Sequence, residues 1–247
     1  MKTENLNVVF PEGYSVAELI IREGQPVMLL DPKAPVKLTV KGTIDAPVEF
    51  LTRRVSEVDQ VPQKRCMVYI NREKISIMLV TNEHDDYLQG KIIGILEFHP
   101  KYKEFGINTD KEWNPNQLGQ FFKMNRAFFP DKENNMSLVT QLKNFEAKIN
   151  SIIQKQKAES GDFADNYSGI VTSNVPSLFM IRIPIFKGTS MEDLEVEFYV
   201  TVSGREIKLQ LYSPGANQVT EEIRDKVIDE QIAKIRALAP DIAIIEE

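Results

Sequence analysis

The apolar residues of this chain repeat with two different periods, and the period changes twice. Up to about residue 110 the apolar runs are short and alternate with polar residues, as in Val36–Val40, Met67–Ile70, Ile75–Val80 and Lys91–Phe98. Between Trp113 and Ile152 they recur every three to four residues. From Leu178 to Tyr212 the alternation returns. A period of two belongs to half-buried strands and a period near 3.6 to amphipathic helices. The chain therefore reads as α+β, with antiparallel β segments flanking a central helical pair, and with a C-terminal amphipathic helix. One domain spanning 1–247 is expected, made of a mainly β part (1–110), the helical pair (111–160), and β hairpins plus the last helix (168–247).

Local signals place the elements. Ser15 and Gly24 bracket a short helix as cap and terminator. Asp45-Ala-Pro47 opens another, with Asp at the cap and proline in the first turn. Met67–Ile70 and Ile75–Val80 form a hairpin around Asn71–Lys74, and Lys91–Phe98 adds a third strand, which reads as an antiparallel meander. Asn114-Pro115-Asn116-Gln117 is a strong helix start. Leu118, Phe121, Phe122, Phe128 and Phe129 mark its apolar stripe, and Ser137 is read as the cap of the second helix, whose stripe is Leu138, Leu142, Phe145, Ile149 and Ile152. Phe122 and Phe145 are the expected buried anchors. Lys157–Gly169 reads as a loop. Thr220 is read as the cap of the last helix, Pro240 as its stop, and the tail from Asp241 as an edge strand or a free end.

The chemistry-bearing residues are few. Two histidines, one cysteine and no glycine-rich phosphate loop occur in 247 residues. His84 and His99 stand apart, Cys66 has no partner for a disulfide, and no Gly-x-Ser-x-Gly elbow is present. Glu83-His84-Asp85-Asp86 is the densest polar cluster, but it is consecutive and has no second cluster to complete a metal site. No catalytic residue, cofactor or metal is assigned. The longest apolar runs are too short to span a bilayer. The N-terminus lacks an apolar signal core, and with a single cysteine this points to a cytoplasmic protein.

The net charge of −6 opposes broad attraction to nucleic acid. A local excess exists all the same, because residues 111–160 carry eight basic against five acidic side chains. Within it, Phe121–Phe129 interleaves phenylalanines with Lys123 and Arg126. Such a segment can stack bases and hold phosphates, or its phenylalanines can share one face and build a core. Lys123, Arg126, Lys143 and Lys148 are the candidate contacts to single-stranded DNA.

The order of segments is also familiar. Val40-Lys-Gly-Thr-Ile-Asp-Ala-Pro-Val-Glu-Phe-Leu51, then Leu96-Glu-Phe-His-Pro100 with Tyr102 ahead of a helix led by Trp113, and then Phe179-Met-Ile-Arg-Ile-Pro-Ile-Phe-Lys-Gly188 resemble a family of tailed-phage and prophage proteins known only as a domain of unknown function. The resemblance spans about residues 20–235. It implies a phage or prophage origin and a gene neighbourhood of recombination or single-strand-binding functions. It carries no catalytic residues, only the signature positions Asp45, Pro47, Pro184, Phe186 and Gly188. Each has a structural account as well: Asp45 as a cap, Pro184 on an edge strand or bulge, Gly188 in a turn, and Lys187 as a turn lysine in place of a phosphate ligand. The reading that results is a phage-type accessory protein that acts by binding, as a homo-oligomer or with a phage or host protein. The alternative is a DNA-metabolism factor.

Overall fold

The computed structural model describes residues 38–56, 61–156, 178–203 and 206–247, all within the unit that runs from Val36 to Glu247. The expected helix at Ser15–Gly24 and the loop at Lys157–Gly169 lie outside the described residues. The fold is α+β.

The first sheet holds β1 (Leu38–Thr43), β2 (Met67–Asn71), β3 (Ser76–Thr81), β4 (Gly90–Ile95) and β8 (Ala243–Glu246), in the order β1-β4-β3-β2-β8. β2, β3 and β4 form the expected antiparallel meander, with Met67 opposite Val80 and Met78 opposite Ile93. Its edges correct the expectation of an all-antiparallel segment. β1 pairs parallel with β4, and β8 pairs parallel with β2. Parallel neighbours are joined by crossovers and not by hairpins, so local turn signals cannot reveal them. The tail beyond Asp241 is thus an edge strand.

One face of this sheet is the core. Val68, Ile70, Ile77, Leu79 and Ile92 are buried there, in one apolar cluster with Val48 and Leu51 of α1 (Ala46–Arg54) and with the C-terminal helix. Alternation makes this possible, because every second strand residue points inward. Gly94 allows the β1–α1 turn to close on the sheet: a Cβ there would lie 2.6 Å from the Ile44 carbonyl oxygen and 2.8 Å from Pro47 Cδ.

The second sheet is antiparallel, in the order β5 (Leu178–Pro184), β6 (Met191–Ser203), β7 (Glu206–Tyr212). Its inner face, with Phe179, Ile181, Ile183, Leu194, Val196, Leu209 and Leu211 buried, packs against the helical pair α3 (Pro115–Met124) and α4 (Lys132–Gln156). The two helices run antiparallel. Gly119 faces Leu142, and the Asn135 side-chain amide donates to the Phe122 carbonyl at 3.1 Å. Phe122 and Phe145 are fully buried, as the apolar stripe predicts, and Phe122 lies 5.4 Å from Phe179 between ring centroids.

The caps differ from the sequence reading at three helices. Asn114 caps α3 as expected, accepting from the Gln117 N–H at 2.7 Å. α4 begins five residues before Ser137, at Lys132, where the Asp131 carboxylate accepts from the Glu133 N–H at 3.0 Å. Asp directly after Pro130 both ends the previous turn and caps the next. The C-terminal helix, α5 (Ala216–Leu238), starts after Gly215 and not at Thr220, whose hydroxyl donates back to the Ala216 carbonyl at 2.6 Å. Asp45 occupies the cap position of α1 but makes no capping bond, because its carboxylate instead accepts from the Thr43 hydroxyl. α2 (Pro100–Phe105) was not foreseen. It is one short turn and a half, capped by His99 Nδ1, which accepts from the Lys101 N–H at 3.2 Å.

Candidate functional site

The signature residues brace β4 and the segment that follows it. Asp45 and Pro47 set the turn that closes over Gly94. Pro184–Gly188 leave β5, and this run pairs with residues 97–99. His99 N–H donates to the Ile185 carbonyl at 2.8 Å, Lys187 N–H donates to the Glu97 carbonyl at 2.9 Å, and the Phe98 and Phe186 rings stack at 4.8 Å. Pro184 sits at the end of an edge strand, as its missing N–H requires. Gly188 has φ +81°, in the left-handed region that glycine tolerates. Lys187 is ion-paired with Glu97, whose carboxyl the Lys187 hydrogen bond holds below its usual range. These positions join the two sheets, and the lysine is engaged in that joint.

Of the four basic candidates, three have described side chains. Lys123 closes α3 and Arg126 lies in the 3-10 turn after it, both exposed. Lys143 is exposed on α4, eleven residues beyond Lys132, or about 16 Å along the axis. The side chain of Lys148 lies outside the described residues. Phe121, Phe122, Phe128 and Phe129 all pack into the core, where Phe105 meets Phe121 at 4.9 Å and Phe122 meets Phe129 at 5.1 Å. This packing is the core reading of the segment.

The remaining chemistry is structural in kind. Asp85 accepts from the Tyr87 N–H at 2.8 Å and the Leu88 N–H at 3.2 Å, which folds the Glu83–Asp86 loop on itself. Among the described residues no group of three or more His, Cys, Asp or Glu is placed to hold a metal ion. Cys66 is buried, its thiol directed at the Pro62 carbonyl, and burial pushes its pKa up, away from thiolate chemistry. No helix among the described residues is long and apolar enough to cross a membrane.

A groove the sequence did not single out lies between α4 and the edge of β5, with a cavity of about 480 Å³. Its floor is apolar: Phe129 from the connection between α3 and α4, Leu138 from α4, Phe179 from the inner face of β5, and Leu178 and Met180 from the outer face, so the cavity wraps over the strand edge. The helix contributes a polar stripe, Asn134, Ser137 and Gln141, alongside its buried stripe. Gln141 Nε2 donates to Ser137 Oγ at 3.2 Å, while Gln141 Oε1 is buried with no hydrogen-bond partner among the described residues. Asp193 of β6 stands at the rim. It receives two 2.7 Å hydrogen bonds from Arg182, which hold its carboxyl below the usual range and keep it ionised at neutral pH.

The signal in the sequence was the spacing of Asn134, Ser137 and Gln141, which lies on one helical face. Ser137 also fits a helix cap, and that reading puts Asn134 outside the helix. No protein-family model matches the chain, and no match to it is found among curated proteins or among solved structures.

Proposed function

We propose that this is an accessory protein of the phage or prophage type that acts by binding, and that the groove between α4 and β5 is its site. The observation that carries the reading is the groove itself: a cavity of about 480 Å³, apolar-floored and lined in part by Gln141, whose buried Oε1 has no hydrogen-bond partner among the described residues. That volume is in the range of ligand sites. A buried acceptor without a donor costs about 1–3 kcal/mol, which a ligand donor would recover. Self-association belongs to the same reading. Leu178, Met180, Met191, Tyr199 and Tyr212 are exposed and share the outer face of the second sheet, and exposed apolar surface of this kind serves protein contacts.

The test is capture of partners from host cells carrying the phage, comparing the wild type with a groove-filling Ser137→Trp variant. A partner held by the wild type and lost with the variant supports the reading. An identical set from both moves the site elsewhere. The second reading, a DNA-metabolism factor, is favoured by the exposure of Lys123, Arg126 and Lys143. With the phenylalanines in the core, it has phosphate contacts alone to draw on.

A further inference from the structure

Among the described residues, strand β5 leaves half of its backbone unused. It is the outermost strand of its sheet, and an edge strand presents N–H and C=O groups of alternate residues away from its neighbour. Among the described residues, no backbone hydrogen bond reaches Leu178–Ile183 from outside the β5–β6 ladder. The groove runs beside this open edge, with α4 as its far wall. A strand edge facing a helix across an apolar trough is the geometry that accepts an added strand, in which main-chain bonds supply affinity and alternate side chains supply specificity.

The two walls differ in chemistry. An added strand directs alternate side chains to opposite faces of the sheet. Toward the inside they meet Phe129, Leu138 and Phe179, all buried and apolar. Toward the outside they meet Leu178 and Met180 and, one strand further in, the carboxylates of Asp193, Glu195 and Glu197, which stand at successive outward positions of β6. Arg182 answers Asp193, while Glu195 and Glu197 have no ion-pair partner among the described residues. Two strand spacings of about 4.8 Å separate an added strand from β6, a span that lysine and arginine side chains cross by lying along Leu178 and Met180. Gln141 Oε1, with no partner among the described residues, can take a donor on the helix side.

We infer that the groove binds an extended peptide segment of a partner protein, alternating apolar with basic residues, by adding it as a strand to β5. This assignment rests on the binding reading above and names the occupant.

Fluorescence anisotropy on the full chain tests it. The probe is a labelled peptide of about eight residues alternating valine and lysine. Three comparisons accompany it: a valine–glutamate peptide, a pair of valine–lysine peptides each N-methylated on one of the two alternating sets of residues, and the double variant Glu195→Lys/Glu197→Lys. The expected result is saturable binding of the valine–lysine peptide. It should weaken about tenfold or more for the acidic peptide and for the double variant, and be lost on N-methylation of one of the two alternating sets. Equal binding of the valine–lysine and valine–glutamate peptides, or full affinity retained with each of the two sets N-methylated in turn, overturns the assignment. No binding of any peptide overturns it too, and the binding reading still stands if Ser137→Trp loses the partners that the wild type captures. Concentration-dependent dimerisation abolished by the double variant, with no peptide bound, gives the groove to a second copy and overturns the peptide.

Discussion

Asn108 shows how much a single side chain can hold. It sits in the left-handed region at φ 54°, in the loop after α2, and pairs with Ser213 as a second backbone would. Its amide donates to the Ser213 carbonyl at 2.8 Å and its oxygen accepts from the Ser213 N–H at 2.8 Å. Arg72 plays a comparable part in the β2–β3 turn. It binds Asp225 at 3.0 Å and Asp229 at 2.7 Å on α5, and Glu246 on β8. Hydrogen bonds from Arg224 and then Arg72 hold the Asp225 carboxyl below its usual range. A carboxylate with a lowered folded-state pKa contributes stability above its unfolded pKa and loses it as pH falls. Arg72→Ala is therefore expected to cost about 1 kcal/mol at neutral pH, since the partners are largely exposed. The gap to wild type should close as pH falls below about 4. Urea unfolding at several pH values measures this, and a gap independent of pH would exclude the ion pairs as its source. At the core, Phe122→Ala should cost about 3–5 kcal/mol in the same assay.

Among the elements, the helical pair and the hairpins were legible because their own residues determine them. The stripe from Leu118 to Phe145 and the alternation in Met67–Val80 announce both period and buried face. The caps were less so. Asn114 is legible because proline and glutamine follow it, whereas Asp131 is masked by the pull of Ser137 six residues later. Asp131→Ala should thus cost about 1 kcal/mol and Ser137→Ala within about 0.5 kcal/mol, as read by thermal unfolding. The reverse order would restore Ser137 as the cap. The edge strands β1 and β8 were not legible as parallel partners. Their pairing depends on where distant segments return, and β8 reaches β2 only after the whole of α5. The groove was hidden for the same reason. Its helix wall and its strand edge are separated by the chain between α4 and β5, and neither carries a motif alone.

Across the described molecule, two sheets each bury one face, and the run from Pro184 to Gly188 ties the second sheet to the end of β4. With the phenylalanines spent on the core, the surface offers an open strand edge beside a polar helix stripe. DNA binding through Lys123, Arg126 and Lys143 would show as a steep fall of affinity with salt. Absence of any shift of a labelled oligonucleotide at low salt removes that reading. The central claim is that β5 and α4 form the binding surface, and hydrogen exchange of the full chain with and without the valine–lysine peptide tests it most directly. In the free protein, alternate amides of Leu178–Ile183 should exchange fast while those in the β6 ladder are protected. With peptide, the fast set should slow together with the segment Asn134–Gln141. Protection confined to other segments, with β5 unchanged, would contradict the account.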